Sequence, residues 1–117
     1  MTNKYDKKSD LEEALATLMK QVGLPVPVRQ FKAIPGREFK FDFCYPEKKL
    51  LIEVQGAIWA GRRGEQSGHS SGVGIMRDHE KNNLAVINGY RVLYVNGNTI
   101  RSGEAVTEIE TALNNNG

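Results

Sequence analysis

Apolar residues recur at helical spacing over the first segment of the chain, where Leu11, Ala14, Leu15, Leu18, Met19 and Val22 form one stripe that ends at Gly23. Ser9-Asp10-Leu11-Glu12-Glu13 offers an N-cap and a capping-box start, so the pattern predicts an amphipathic helix of roughly three to four turns. Pro25 and Pro27 then open an extended segment, 28–34, in which Val28, Gln30 and Lys32 alternate against Arg29, Phe31 and Ala33. Pro35-Gly36 is a turn signal. From Glu38 to Tyr45 the period is two: Phe39, Phe41, Phe43 and Tyr45 fall on one face and Glu38, Lys40, Asp42 and Cys44 on the other. The run Leu50 to Gln55 sends Leu50, Ile52 and Val54 to one side and Leu51, Glu53 and Gln55 to the other. These three segments read as a meander. The stretch Gly56 to Gly74 is rich in glycine and serine and reads as a loop. Helical character resumes from Ile75 to Gly89, with Met76, Glu80, Asn83, Leu84 and Ile87 on one stripe. Tyr90 to Val95 is a short strand, Glu104 to Leu113 a last helix, and Asn114 to Gly117 a frayed end. Strand, crossover helix, strand implies a parallel pair with a right-handed connection. The order αβββαβα makes this an α/β (α+β) chain with a mixed sheet flanked by helices.

The chemistry concentrates on the hairpin. With Pro46-Glu47-Lys48-Lys49 as its loop, Tyr45 lies opposite Leu50, and counting outward sets Asp42 opposite Glu53 on the same side of the sheet. Their Cβ atoms would then be roughly 4.5 to 5.5 Å apart. Two carboxylates that close repel, which either raises one pKa or calls for a cation between them. Oxygen-only ligands on a rigid hairpin suit Mg²⁺ or Mn²⁺, hard ions that keep several waters and meet phosphate oxygens readily. The bland alternative for Asp42 is a solvated residue on the polar face of an edge strand. Glu53, inside Leu-Leu-Ile-x-Val, is costly to bury without a partner.

The ordered set of elements, together with GLPVP at 23–27, FKFDFCYPEKKLLIEVQG at 39–56, RDHEKNN at 77–83 and GYRVLYV at 89–95, resembles the PD-(D/E)XK nuclease superfamily. More narrowly, it resembles the small phage and bacterial endonuclease-like proteins related to the very-short-patch-repair type. The resemblance covers about residues 10 to 113, nearly the whole chain. It implies a Mg²⁺- or Mn²⁺-dependent DNA endonuclease working in repair, recombination or restriction. Asp42, Glu53 and the Val54 carbonyl would hold the metal. Gln55 would position water or phosphate, standing where the family most often has a lysine; an amide carries no charge and takes no proton at neutral pH. Lys81 is the candidate to supply the missing charge from the following helix, whose Asp78, Lys81, Asn82 and Ala85 share a face. Glu13 aligns with a first-helix glutamate that assists the metal in many relatives, against the competing reading that Glu12 or Glu13 completes the capping box. In the glycine-rich loop Arg62, Arg63 and, less so, His69 are expected to contact DNA, with Trp59 able to stack or wedge at a base step. The expected partner is duplex, nicked or branched DNA; dimerisation would permit double-strand cleavage. The rival functions are a nuclease-like binding module that has lost activity, with Gln55 as its sign, and cleavage of RNA.

Composition narrows the classes further. The chain has 117 residues, 39% hydrophobic and 26% charged, which suits one globular domain and leaves no room for a second. A net charge of +2 permits a nucleic-acid partner without demanding one. The basic residues cluster: Lys4, Lys7 and Lys8 at the start, Lys48 and Lys49 on the hairpin tip. A single cysteine, Cys44, precludes an intrachain disulfide, and no Cys/His set has zinc spacing, so a reducing, cytoplasmic setting is expected. No apolar run reaches membrane-span length and the first eight residues lack the apolar core of a secretory signal. No Walker-type phosphate loop is present. His79 with Asn82-Asn83 is a poor match to a His-Asn-His nuclease, because these residues fall on one predicted helix without the hairpin and second histidine. Cys44 reads as a small packed side chain.

Overall fold

The structure of the chain, a computed structural model, describes residues 7–56 and 72–115. Helix α1 (Lys8–Gln21) forms on the apolar stripe and buries Leu11, Leu15 and Met19. It closes through Val22, whose N–H reaches Leu18, and Gly23 follows at φ +82, a left-handed conformation that glycine adopts without steric penalty. Its start departs from expectation. The helix begins at Lys8 and its N-cap, Lys7, makes no side-chain cap hydrogen bond, so the capping box at Ser9 does not form.

Four strands make one mixed sheet in the order β1 (Val28–Phe31), β2 (Phe41–Tyr45), β3 (Leu50–Gln55) and β4 (Arg91–Asn96). β1–β2 and β2–β3 are antiparallel and β3–β4 is parallel, as the crossover pattern implied. The β2–β3 turn is a single 3₁₀ turn over Pro46–Lys48, ended by Lys49 in the left-handed region at φ 51. This turn sets Tyr45 opposite Leu50, Cys44 opposite Leu51 and Phe43 opposite Ile52. Helix α2 (Gly72–Ile87) carries the chain across to β4, and α3 (Gly97–Ser102) and α4 (Glu104–Asn114) follow, joined at Gly103 with φ +90. α3 has no counterpart in the sequence reading. It is short, and its start is fixed by a reciprocal cap in which Asn96 accepts from the Thr99 N–H while the Thr99 hydroxyl accepts from the Asn96 N–H.

β3 is the middle of the core. Leu50, Ile52 and Val54 pack with Phe43, Tyr45, Leu11, Leu15, Met19, Ile100 and Ile109 on the side of α1, α3 and α4, and Leu51 packs with Cys44, Phe41, Ile34 and Ala85 on the side of α2. A strand covered on both faces must be apolar on both. Each fully buried Leu, Ile or Val is worth about 1.5–3 kcal/mol of transfer free energy, and against that background a carboxylate at Glu53 stands out.

Two stripes read from the sequence do not hold. The aromatic residues of 39–45 divide: Phe43 and Tyr45 face α1, whereas Phe41, with Phe39 against it, lies on the α2 side. β1 changes faces at the same level, because Gln30 is left-handed at φ 49, so Arg29 reaches Phe43 and Phe31 joins the α2 side. Strict alternation fails where both strands shift face. On α2 the stripe divides: Met76 and Ile87 are exposed, at 69% and 75%, while Leu84 meets the sheet together with Lys81 and Ala85 of the neighbouring face. Among the described residues no helix is long and apolar enough to cross a membrane.

Candidate active site

The last paired residues of the β2–β3 ladder are Phe43 and Ile52; one step beyond them, Asp42 and Glu53 meet. Here the backbone hands its hydrogen bonds to side chains. The Asp42 N–H donates to Glu53 Oε1 at 3.3 Å, and the Val54 N–H donates to Asp42 Oδ2 at 2.8 Å. The two acids are therefore held by the strand ends themselves, at 3% and 7% exposure. A face change at Asp42, between Phe41 on one side and Phe43 on the other, turns its carboxylate toward β3 and not into either apolar layer.

Each acid also has a lysine, and the lysines come from opposite layers. Lys8, in the first turn of α1, donates to both oxygens of Asp42 at 2.7 and 2.8 Å and lies 3.3 Å from Glu12. Lys81, from α2, donates to Glu53 Oε2, and its ammonium stands 4.5 Å above the ring of Phe41. Asn82, next on the helix, accepts from the Tyr94 hydroxyl at 3.2 Å, and Tyr94 is the β4 neighbour of Glu53.

The two carboxyls titrate in opposite directions. Burial raises Glu53, and the hydrogen bond and negative charge of Asp42 add to it, outweighing Lys81 and pushing the group up to about 7. Burial would also raise Asp42, but hydrogen bonds from Glu53, Lys8 and the Val54 N–H overcome it and hold the carboxyl below its ordinary value. Near neutrality the pair thus carries one full negative charge at Asp42 and a second carboxyl ready to ionise. Burial alone would lower Lys8; its contacts with Asp42, and the charges of Glu53 and Glu12, raise it instead. Tyr94 is raised by burial and by the negative charges of Glu53 and Asp78.

Of the residues expected here, the structure brings Asp42, Glu53 and Lys81 together, and Val54 joins them through its N–H, where the carbonyl was the expected ligand. Gln55 follows on the Glu53 side of β3, half-buried and paired in register with Asn96. Glu13 is a correction. Its carboxylate pairs with Arg29 of β1 at 2.7 Å and is 71% exposed, because a residue two positions after Leu11 points off the buried stripe. The glutamate that borders the site is Glu12, one turn from Lys8 and three residues before Leu15. Arg62, Arg63, His69 and Trp59 lie outside the described residues. Cys44 is a fully buried side chain in the α2-side layer, its thiol pushed up by burial to about 11.

Lys8 is the site residue that sequence reasoning missed, and a signal for it existed. The stripe Met19, Leu15, Leu11 extended one more turn toward the start lands on Lys8.

The donor set fits a hard divalent cation. Among the described residues no group of three or more Asp, Glu, His or Cys gathers, so an ion held here would have two carboxylates and would complete its shell with backbone oxygen, water or phosphate. That is the manner in which Mg²⁺ is bound, and it lacks the soft or imidazole ligands that zinc sites use. Lys8 and Lys81 together place two positive charges on the two acids, the charge that one divalent ion would bring. Comparison with protein-family models, with curated proteins and with solved structures finds no match to this chain.

Proposed function

We propose that the chain is a divalent-metal-dependent endodeoxyribonuclease, hydrolysing phosphodiester bonds at the open end of the β2–β3 hairpin. The observation that carries this reading is the convergence of Asp42 and Glu53, from adjacent strands, on one buried spot where the strands' own N–H groups orient both carboxylates. Asp42 and Glu53 would hold Mg²⁺ or Mn²⁺, with the Val54 carbonyl as a further ligand. When bound, the ion supplies Lewis acidity toward the phosphate and a lowered pKa for a nearby water. Glu53, raised toward neutrality with Oε1 on the Asp42 N–H and Oε2 on Lys81, would be drawn into its ionised, ligating form by a bound ion. Lys81, fixed by Phe41 and Glu53, would put its ammonium where the phosphate charge builds. Gln55, uncharged, is left to orient by hydrogen bonding.

The test is cleavage of supercoiled plasmid and branched DNA with and without Mg²⁺ or Mn²⁺, with Asp42→Asn as control. Metal-dependent nicking that disappears in the variant supports the nuclease; DNA bound but never cut overturns it. One observation favours a second reading, a binding module without catalysis: both acids already carry an internal lysine, and Gln55 offers no charge. The same experiment separates the two, and including an RNA duplex decides which nucleic acid is cut.

A further inference from the structure

The two lysines of the site are not equivalent. Lys81 is 19% exposed and packs against the Phe41 ring, whereas the Lys8 side chain is 46% exposed and belongs to the first turn of a helix whose N-cap side chain makes no hydrogen bond. The Lys8 stem rests on Gly56, directly after Gln55: a Cβ on Gly56 would stand 3.2 Å from Lys8 Cβ and 3.5 Å from its Cα. Lys8 therefore reaches over the end of β3, past the uncharged Gln55, to place its ammonium on Asp42. A divalent ion ligated by Asp42 cannot share both oxygens with that ammonium, since two cations would then compete for one carboxylate at contact distance. The more exposed and less packed of the two lysines is the one that yields.

Resting on the nuclease reading above, we propose that Lys8 is an exchangeable cation of the site. It holds Asp42 while no divalent ion is bound, gives up that carboxylate to the ion, and from its seat on Gly56 turns its ammonium to the substrate phosphate, supplying from α1 the charge that Gln55 does not. Lys8 stays protonated throughout, and no bond is made or broken at it.

The test separates affinity from rate. Binding of Mn²⁺ alone is measured by calorimetry on the wild type, K8M, K8R and D42N, and single-turnover cleavage of nicked-circle or branched DNA is followed at saturating metal. With the internal competitor removed, K8M binds Mn²⁺ on the order of tenfold more tightly, yet cleaves on the order of a hundredfold more slowly because the phosphate has lost a cation. K8R recovers part of the rate, and D42N loses metal affinity. A second measurement needs no variant: the side-chain ammonium resonances of lysine are followed as Mg²⁺ is added to the unaltered protein, where the Lys8 signal shifts and exchanges faster with solvent while that of Lys81 changes less. Unchanged or weaker Mn²⁺ affinity in K8M, or tighter binding with no loss of rate, overturns the proposal and leaves the nuclease reading standing if the wild type cuts DNA. A wild type that neither binds Mn²⁺ nor cuts overturns both.

Discussion

At its turn end the β2–β3 hairpin pairs Tyr45 with Leu50 over a 3₁₀ turn and seals both side chains in the layer of α1, α3 and α4; three residues away, at its open end, the same register brings Asp42 to Glu53. Both ends are buried. What differs is the origin of their order. The turn end is held by dispersion and by apolar area removed from water, which is tolerant of charge state and salt. The open end is held by charge-assisted hydrogen bonds, which depend on every partner being present and on the protonation of Glu53. One end of the hairpin makes the fold stable so that the other can keep two acids where water would normally separate them.

The largest expected effect breaks the turn end. Leu50 is wholly buried, and Leu50→Ala leaves a cavity between β3 and the helical layer that should lower stability by about 3 to 5 kcal/mol. Urea denaturation checks this, and metal-dependent cleavage per folded molecule should stay within a few-fold of wild type. Comparable loss of cleavage per folded molecule would mean that the two ends are not separable.

The converse substitution is Asp42→Asn. An amide keeps an oxygen to accept from the Val54 N–H, but no longer carries the charge for Lys8 or for a metal. Cleavage should fall on the order of 10²–10³-fold, equivalent to about 3–4 kcal/mol in the barrier, while stability changes by about 1–2 kcal/mol. Single-turnover kinetics beside a denaturation curve reads both. An Asn variant that unfolds as readily as Leu50→Ala would make Asp42 a structural residue.

How much of this contrast could be read from the sequence follows the same division. The hairpin loop and the register were legible because loop length sets Tyr45 opposite Leu50 and with it the pairs out to Phe43 and Ile52. Counting one step further set Asp42 beside Glu53, although Asp42 turns to it through a face change that the strand period does not mark. The parallel β3–β4 pair followed from an intervening helix. Less legible was anything set by long-range electrostatics. Alternation in 38–45 placed Phe41 with Phe43, but both strands shift face at Gln30 and Asp42, and a left-handed Gln30 has no mark in the sequence comparable to a glycine. On α2 the face shared by Lys81, Asn82 and Ala85 is legible from helical spacing, and Lys81 turns inward to Glu53 as expected, whereas the apolar spacing of Met76 and Ile87 does not disclose that both stay exposed. The choice of Glu13 over Glu12 failed for want of the same geometry, because Lys8, and not a cap, defines how α1 begins.

The pH response sharpens the comparison. Glu53 is raised in the fold from 4.5 to about 7, so between those values the folded chain binds a proton that the unfolded chain has released, and stability falls as pH rises through that window. In metal-free buffer the loss from pH 5 to 8 should be on the order of 1–3 kcal/mol. Asp42, whose shift is downward, contributes stability that is present above its ordinary value near 3.8 and is lost in acid, outside this window. Denaturation midpoints at several pH values test this, and in Glu53→Gln the slope assigned to this residue should vanish. A wild type as stable at pH 8 as at pH 5 would place Glu53 in a far more polar setting than its burial indicates.

The smallest effect expected is at the far side of the open end, on β4. Asn96 lies beside Gln55 in the parallel register and, with Thr99, caps α3 through two hydrogen bonds of 3.0 Å. Replacing Asn96 by Ala removes one half of that reciprocal cap and should destabilise the fold by about 1 kcal/mol. The interest lies in where the strain goes. α3 carries Ile100, wholly buried in the layer that also receives Leu50, so loosening its start should weaken the apolar layer more than the acid pair. Hydrogen exchange would then quicken at Thr99 and Ile100, while the Val54 N–H, held by Asp42 and not by α3, keeps its protection. Equal loss of protection at Val54 would show that the acid end depends on packing against α3 as much as on its own hydrogen bonds.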